Sequence, residues 1–113
     1  MRRGLALAVA VLAVTATAAA GTWYWPMAKV MRVLDGTRVH VGTKTVRIQS
    51  ETTLCSGEGR SVRRNGVRGW SRFACTYTTF IRRGVDRDLE FRVLVRGRRR
   101  FRIVDARWVP TPR

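Results

Sequence analysis

The sequence is poor in the groups that carry most enzyme and metal chemistry. One histidine (His40), two cysteines, two lysines and seven carboxylates are spread over 113 residues. Two thiols and one imidazole fall short of the four ligands of a structural zinc site, so no metal centre is expected. The same scarcity leaves His40 as the one imidazole base. Its candidate partners are Ser50, Ser56 and Ser61, with Glu51 and Glu58 nearby, but no serine stands in a nucleophile-elbow pattern. His40 falls on the polar side of an alternating stretch and reads as an exposed strand residue. Gly57-Glu58-Gly59 lacks the third glycine of a dinucleotide loop: Val62 stands in its place and a carboxylate sits in the middle, so a turn is expected. Asp86, Asp88 and Glu90 alternate with arginines and read as local ion pairs, each worth little. No catalytic residue and no cofactor is expected; a small hydrolase or inhibitor would need a pocket enclosing His40 with an acid.

The shortage of carboxylates has a second consequence. Against 23 basic side chains it leaves a formal charge of +16. Arginine outnumbers lysine 21 to 2, a skew that a GC-rich genome imposes through its codons. Codon bias does not explain the missing acids, because Asp and Glu codons can be GC-rich too. The charge therefore points either to anionic company or to a solvated face that keeps a small domain soluble.

The N-terminal residues predict export. Arg2 and Arg3 form a basic n-region, Leu5 to Val14 an apolar h-region, and Ala16-Thr17-Ala18-Ala19-Ala20 supplies A-x-A cleavage sites. Residues 1–20 are expected to be a signal peptide cut after Ala20, with Ala18 the alternative. The rival is an uncleaved anchor over residues 4–25, closed by Trp23-Tyr24-Trp25 as an interfacial belt, in which case the N-terminal segment touches the membrane. No cysteine follows the h-region closely, which excludes a lipoprotein anchor. Cleavage leaves 93 of the 113 residues and, with Arg2 and Arg3 gone, a charge of +14 in place of +16. That is one small domain, residues 21–113. Cys55 and Cys75 both fall in it, and an oxidising compartment favours joining them. Such a bridge contributes on the order of 3 kcal/mol by constraining the unfolded chain.

Along this domain the hydrophobic period changes once. Met27, Val30, Met31 and Leu34 recur at helical spacing between Pro26 and Gly36, which predicts a helix over residues 26–35; a strand through Val30 and Val33 is its rival. From Thr37 the period is two. Val39/Val41 and Val46/Ile48 flank a turn at Gly42-Thr43-Lys44. Residues 56–69, with four glycines and four arginines, read as an exposed loop. Phe73, Cys75 and Tyr77 share a face in the next strand. After a turn at Arg82 to Asp86, Leu89, Phe91, Val93 and Val95 face the core, followed by a turn at Arg96 to Arg99 and a return strand with Phe101 and Ile103 inward. The phase breaks at Val104-Asp105, a bulge or a strand end. Pro110 and Pro112 close the chain in an extended tail. Apolar residues on one sheet face and arginines on the other predict an α+β fold: a short N-terminal helix packed on a four- or five-stranded antiparallel sheet, with one disulfide.

The strings Thr53-Leu54-Cys55-Ser56-Gly57-Glu58-Gly59, Trp70-Ser71-Arg72-Phe73-Ala74-Cys75-Thr76 and Asp88-Leu89-Glu90-Phe91-Arg92-Val93 resemble small uncharacterised secreted proteins of actinobacteria. In those, two cysteines, a tryptophan ahead of the second and a closing F-x-V hairpin recur. The resemblance spans roughly residues 38–108. It implies a compartment and a disulfide, and it carries over no catalytic residue.

The basic surface is the remaining candidate site. Arg92 and Arg102 are expected to face away from the core, Arg98, Arg99 and Arg100 to crowd a turn, and Arg60, Arg63, Arg64 and Arg68 to sit on the glycine-rich loop. Guanidinium groups bind phosphate in a bidentate fork, so the expected partners are anionic envelope polymers or lipid headgroups. Nucleic acid would bind only non-specifically, and export argues against it as the target. The alternative is a structural or protein-interaction domain with incidental charge.

Overall fold

The computed structural model describes residues 22–79 and 87–110. The signal segment over residues 1–20, and with it all but the last four residues of the alternative anchor over 4–25, the turn at Arg82 to Asp86 and Pro112 lie outside the described residues. What is described is α+β, with a helix N-terminal to the main sheet. A two-residue strand, β1 (Trp25–Pro26), leads into α1 (Met27–Leu34). A small ribbon follows, β2 (Arg38–Val41) paired with β3 (Lys44–Arg47). A single 3₁₀ turn (Ser50–Thr52) then opens an antiparallel meander of β4 (Thr53–Arg64), β5 (Val67–Thr79), β6 (Arg87–Val95) and β7 (Phe101–Pro110).

The helix starts one residue later than its pattern predicts. Pro26, with φ −72° and ψ 159°, is the extended residue ahead of it, without a side-chain cap. Val30 and Leu34 are fully buried, with Met27 and Val33 packed beside them, so Val33 rather than Met31 completes the stripe. The chain reverses at Gly36, whose φ of +82° is left-handed and suits glycine at a helix end. Its N–H donates to the Ile48 carbonyl at 2.8 Å, and the Ile48 N–H donates to Thr37 at 2.8 Å, tying the ribbon to the helix end. Helix and ribbon together cover one face of the sheet. Phe73, Cys75 and Tyr77 of β5, and Leu89, Phe91, Val93 and Val95 of β6, are all buried there beneath Val30, Leu34, Val39 and Ile48. Burying a side chain such as Phe73 or Leu89 contributes roughly 1.5–3 kcal/mol. The opposite face has no covering layer among the described residues, as antiparallel sheets allow.

Cys55 and Cys75 stand directly opposite each other on β4 and β5, 4.0 Å apart at Cα, and are bridged. The bulge at Val104-Asp105 is present: Arg92 pairs with Val104 but Glu90 with Arg107, and Asp105 takes φ +56°.

The loop expected over residues 56–69 is instead a continuous hairpin. β4 runs to Arg64, β5 begins at Val67, and the turn between them has two residues, Asn65 (φ 51°) and Gly66 (φ 78°). Positive φ at both positions is the twist-matched geometry that Asn-Gly favours. The Gly57-Glu58-Gly59 turn is likewise absent. Gly57 sits in β4, and Gly59 (φ +73°) lies at a bulge where the register steps from Glu58↔Arg72 to Ser61↔Trp70. Alternation failed as a guide here because residues 63–68 at the end of this hairpin are exposed on both faces, and only the backbone ladder and turn chemistry define them.

Candidate functional site

In an up-and-down meander the first and third turns fall at the same end of the sheet. The β4–β5 and β6–β7 turns are those two turns. The last rung between β5 and β6 is Arg72↔Leu94, whereas β4 and β5 stay paired to Arg64↔Val67. The β4–β5 hairpin thus extends five residues of β5 further, about 16 Å at the rise of a strand. This arm is braced at its root by β1, where Trp25 pairs with Trp70 and Pro26 with Gly69.

Eight of the nine arginines singled out from the sequence come to this end. Arg60, Arg63, Arg64 and Arg68 are exposed on the arm, Arg98, Arg99 and Arg100 are exposed in the β6–β7 turn, and Arg102 is exposed in the first residues of β7. Arg72 and Arg96, which sequence reasoning passed over, are exposed beside them. The register of successive hairpins is the signal that would have found both. No Asp or Glu occurs in residues 22–34, 59–71 or 94–104, the segments that build this end. Nine arginines therefore share a region without a single carboxylate, and Arg72 borders it, paired across the β4–β5 ladder with Glu58.

Arg92 is separate. It lies mid-sheet on the uncovered face, with Nε 3.3 Å from Glu58 Oε1 and Nη1 3.5 Å from Asp105 Oδ2. Arg107 pairs there with Glu90 at 3.1 Å. These three carboxylates offset the arginines of the open face, whereas nothing comparable faces the arm. The uncovered face forms an open trough of about 770 Å³ lined in part by Leu54, Ser56, Ala74 and Thr76.

The β6–β7 turn is held from behind. The Arg96 and Gly97 N–H groups donate to the Arg100 carbonyl at 2.9 and 3.1 Å. The Trp25 Nε1–H donates to the Gly97 carbonyl at 3.0 Å, and the Lys29 ammonium donates to the Arg98 carbonyl while lying 4.6 Å from the Trp25 ring centre. Trp25, grouped from sequence with an interfacial belt, is in fact 2% exposed and packs edge-on against Phe101. Its burial leaves Trp23 and Tyr24 as the aromatic residues nearer the surface.

His40 is exposed on β2, with Nδ1 3.0 Å from Thr45 Oγ1. It shares with Asp105 the wall of an open depression of about 450 Å³ between the ribbon and β7. Asp105 is turned to Arg92, and the one lining hydroxyl, Thr37, donates to the Val33 carbonyl at 2.6 Å. No serine or cysteine lines that depression. Ser56 lies on the opposite face and Ser61 on the arm, so the candidate hydrolytic groups are not brought together. Among the described residues no cluster of three metal-ligating side chains occurs, and no helix is long and apolar enough to cross a membrane.

Compared with known proteins, the chain matches no family model, no curated protein and no solved structure.

Proposed function

We propose that this chain is a non-enzymatic module of the cell exterior that holds phosphate-rich anionic surfaces with the arginine end of its sheet. The observation that carries the proposal is the convergence of two arginine-bearing hairpin turns in a carboxylate-free region. Clustered guanidinium groups suit phosphate because each presents a planar fork to two oxygens. Near an anionic surface each basic side chain contributes about 1 kcal/mol, and the attraction decays within a Debye length of about 8 Å at physiological salt. Brackets from Trp25 and Lys29 fix the backbone that bears Arg98, Arg99 and Arg100, which lowers the ordering cost of binding. The Cys55–Cys75 bridge is consistent with an exported domain.

The test is binding of the exported protein to inorganic polyphosphate at rising salt. Affinity that falls steeply with salt, and that collapses when Arg98, Arg99 and Arg100 are changed to Glu, supports the proposal. Absent or salt-independent binding overturns it.

A second reading, a protein-interaction domain with incidental charge, draws on the uncovered trough and on Leu54, which is 81% exposed there. In that case the same charge reversal leaves capture of a protein partner from extracts unchanged.

A further inference from the structure

Among the described residues the large apolar side chains left exposed are Trp23, Leu54 and Val67. Two of these belong to the arm end. Val67 is 54% exposed at the arm tip, directly after the Asn65-Gly66 turn, and Trp23 is 42% exposed just ahead of β1 at the arm root. Between them Tyr24, Pro26, Val62 and Val67 line a shallow depression of about 140 Å³. The register explains the grouping, since Val62 and Pro26 both pair with Gly69 and therefore share its face with Val67, two residues away. Gly69 suits this place because a Cβ there would stand 3.1 Å from the Trp25 carbonyl oxygen. The depression is too small to enclose a ligand, which takes roughly 300 Å³ or more. It is an apolar surface, and Arg64, its one charged wall, is paired with Val67.

Apolar and aromatic groups framed by guanidinium groups match one environment outside a cell better than a soluble polymer. At the surface of an anionic bilayer, apolar side chains enter the boundary between headgroups and acyl chains while basic side chains stay at the phosphates. Tryptophan and tyrosine prefer this depth. A soluble polyphosphate would engage the arginines but give no apolar medium to Trp23 or Val67. The position along the chain agrees: Thr22 is two residues from Ala20, the end of the apolar stretch that the sequence reads as the export segment. If that segment is retained, it fixes the arm beside the bilayer; if it is cut, the arm's own groups hold the domain there.

We propose that the arm, with Tyr24, Val62, Arg64 and Val67 along one face, Arg63 and Arg68 on the other and Trp23 at its root, is a docking surface for an anionic phospholipid bilayer. This rests on the anion-binding function proposed above and narrows its partner. The test is cosedimentation of the exported protein with vesicles of phosphatidylcholine, with and without phosphatidylglycerol, alongside binding to polyphosphate in solution. Uptake is expected only on vesicles containing phosphatidylglycerol. Trp23→Ser with Val67→Ser, at exposed positions that leave folding intact, should weaken that uptake about tenfold through lost apolar burial. Polyphosphate binding should be unchanged. Leu54→Ser, ten residues of β4 away from the tip, should change neither. Vesicle uptake that is absent, indifferent to the double substitution, or equally reduced by Leu54→Ser overturns bilayer docking; if polyphosphate is still bound, the broader proposal stands. Loss of both activities in the unsubstituted protein overturns the two together.

Discussion

The indole of Trp25 donates its N–H to the carbonyl of Gly97 at 3.0 Å across 72 residues of sequence, so the first strand of the domain grips the turn that displays the arginines. Trp25→Phe keeps an aromatic ring in the core and removes the donor. The buried Gly97 carbonyl then loses its partner, at a cost of about 1–3 kcal/mol. The urea midpoint should fall with its slope unchanged. Polyphosphate affinity should also drop although no arginine has been altered, because the turn loses part of its bracket. An unchanged affinity would show that Lys29 and the hydrogen bonds within the turn hold it unaided.

The two groups of arginines predict opposite responses to substitution. Arg92 lies mid-sheet, away from the arginine end, with its guanidinium engaged by Glu58 and Asp105, so Arg92→Ala removes no group that reaches phosphate bound at that end. Polyphosphate affinity and its salt dependence should stay within about a factor of two, and stability within about 1 kcal/mol, as for exposed ion pairs. Arg63→Ala with Arg64→Ala should instead flatten the salt dependence, because charges removed from a carboxylate-free end are not replaced. Titration at several salt concentrations separates the two cases.

Gly57 is a steric requirement set by Trp70. A Cβ built on Gly57 would lie 2.1 Å from Cδ2 of the Trp70 ring, which also packs edge-on against Phe73 at 5.8 Å. Gly57→Ala should destabilise the domain by about 1–3 kcal/mol, the usual cost of overpacking. Adding Trp70→Leu should recover part of that loss. The two substitutions would then be less harmful together than the sum of their separate effects, a non-additivity that chemical denaturation of the four proteins in the cycle would measure.

What could be read from the sequence followed the physics of each segment. Where one strand face is buried, alternation is enforced and legible: Leu89, Phe91, Val93 and Val95 are all in the core, and the phase break at Val104-Asp105 is a bulge. The helix was legible from its stripe and from Gly36. The arm was not, because Arg60 to Arg68 need no buried face and so carry no period; Asn65-Gly66 was its one local signal. Eight of the site's arginines are legible as exposed residues, but without the arm their convergence at one end is not. Arg72 and Arg96 join the cluster only once strand order places two turns at one end, and strand order is a long-range property. Trp25 misled for a related reason, since an aromatic triplet after an apolar run looks the same whether it ends in a bilayer or in a core.

The disulfide offers a prediction in which stability and binding separate. Cys55 and Cys75 form a rung below the arm, 20 residues apart in sequence, and the arm's own strands and turn lie inside the loop they close. In the chain-entropy account such a bridge acts on the unfolded state, where it forbids the more expanded conformations, and contributes about 3 kcal/mol for a loop of this length. Changing both cysteines to alanine removes the link without leaving a thiol, and Cys75 is already an apolar position in the core. The urea midpoint should fall accordingly. The slope of the transition should rise, because the freed unfolded chain exposes more surface. Under conditions where the variant is still folded, the hairpin register is held by the β4–β5 ladder, so the arginines remain in place and polyphosphate affinity should match that of the native protein. An affinity that fell while the domain was demonstrably folded would mean that the bridge sets the geometry of the arm as well as the stability of the domain.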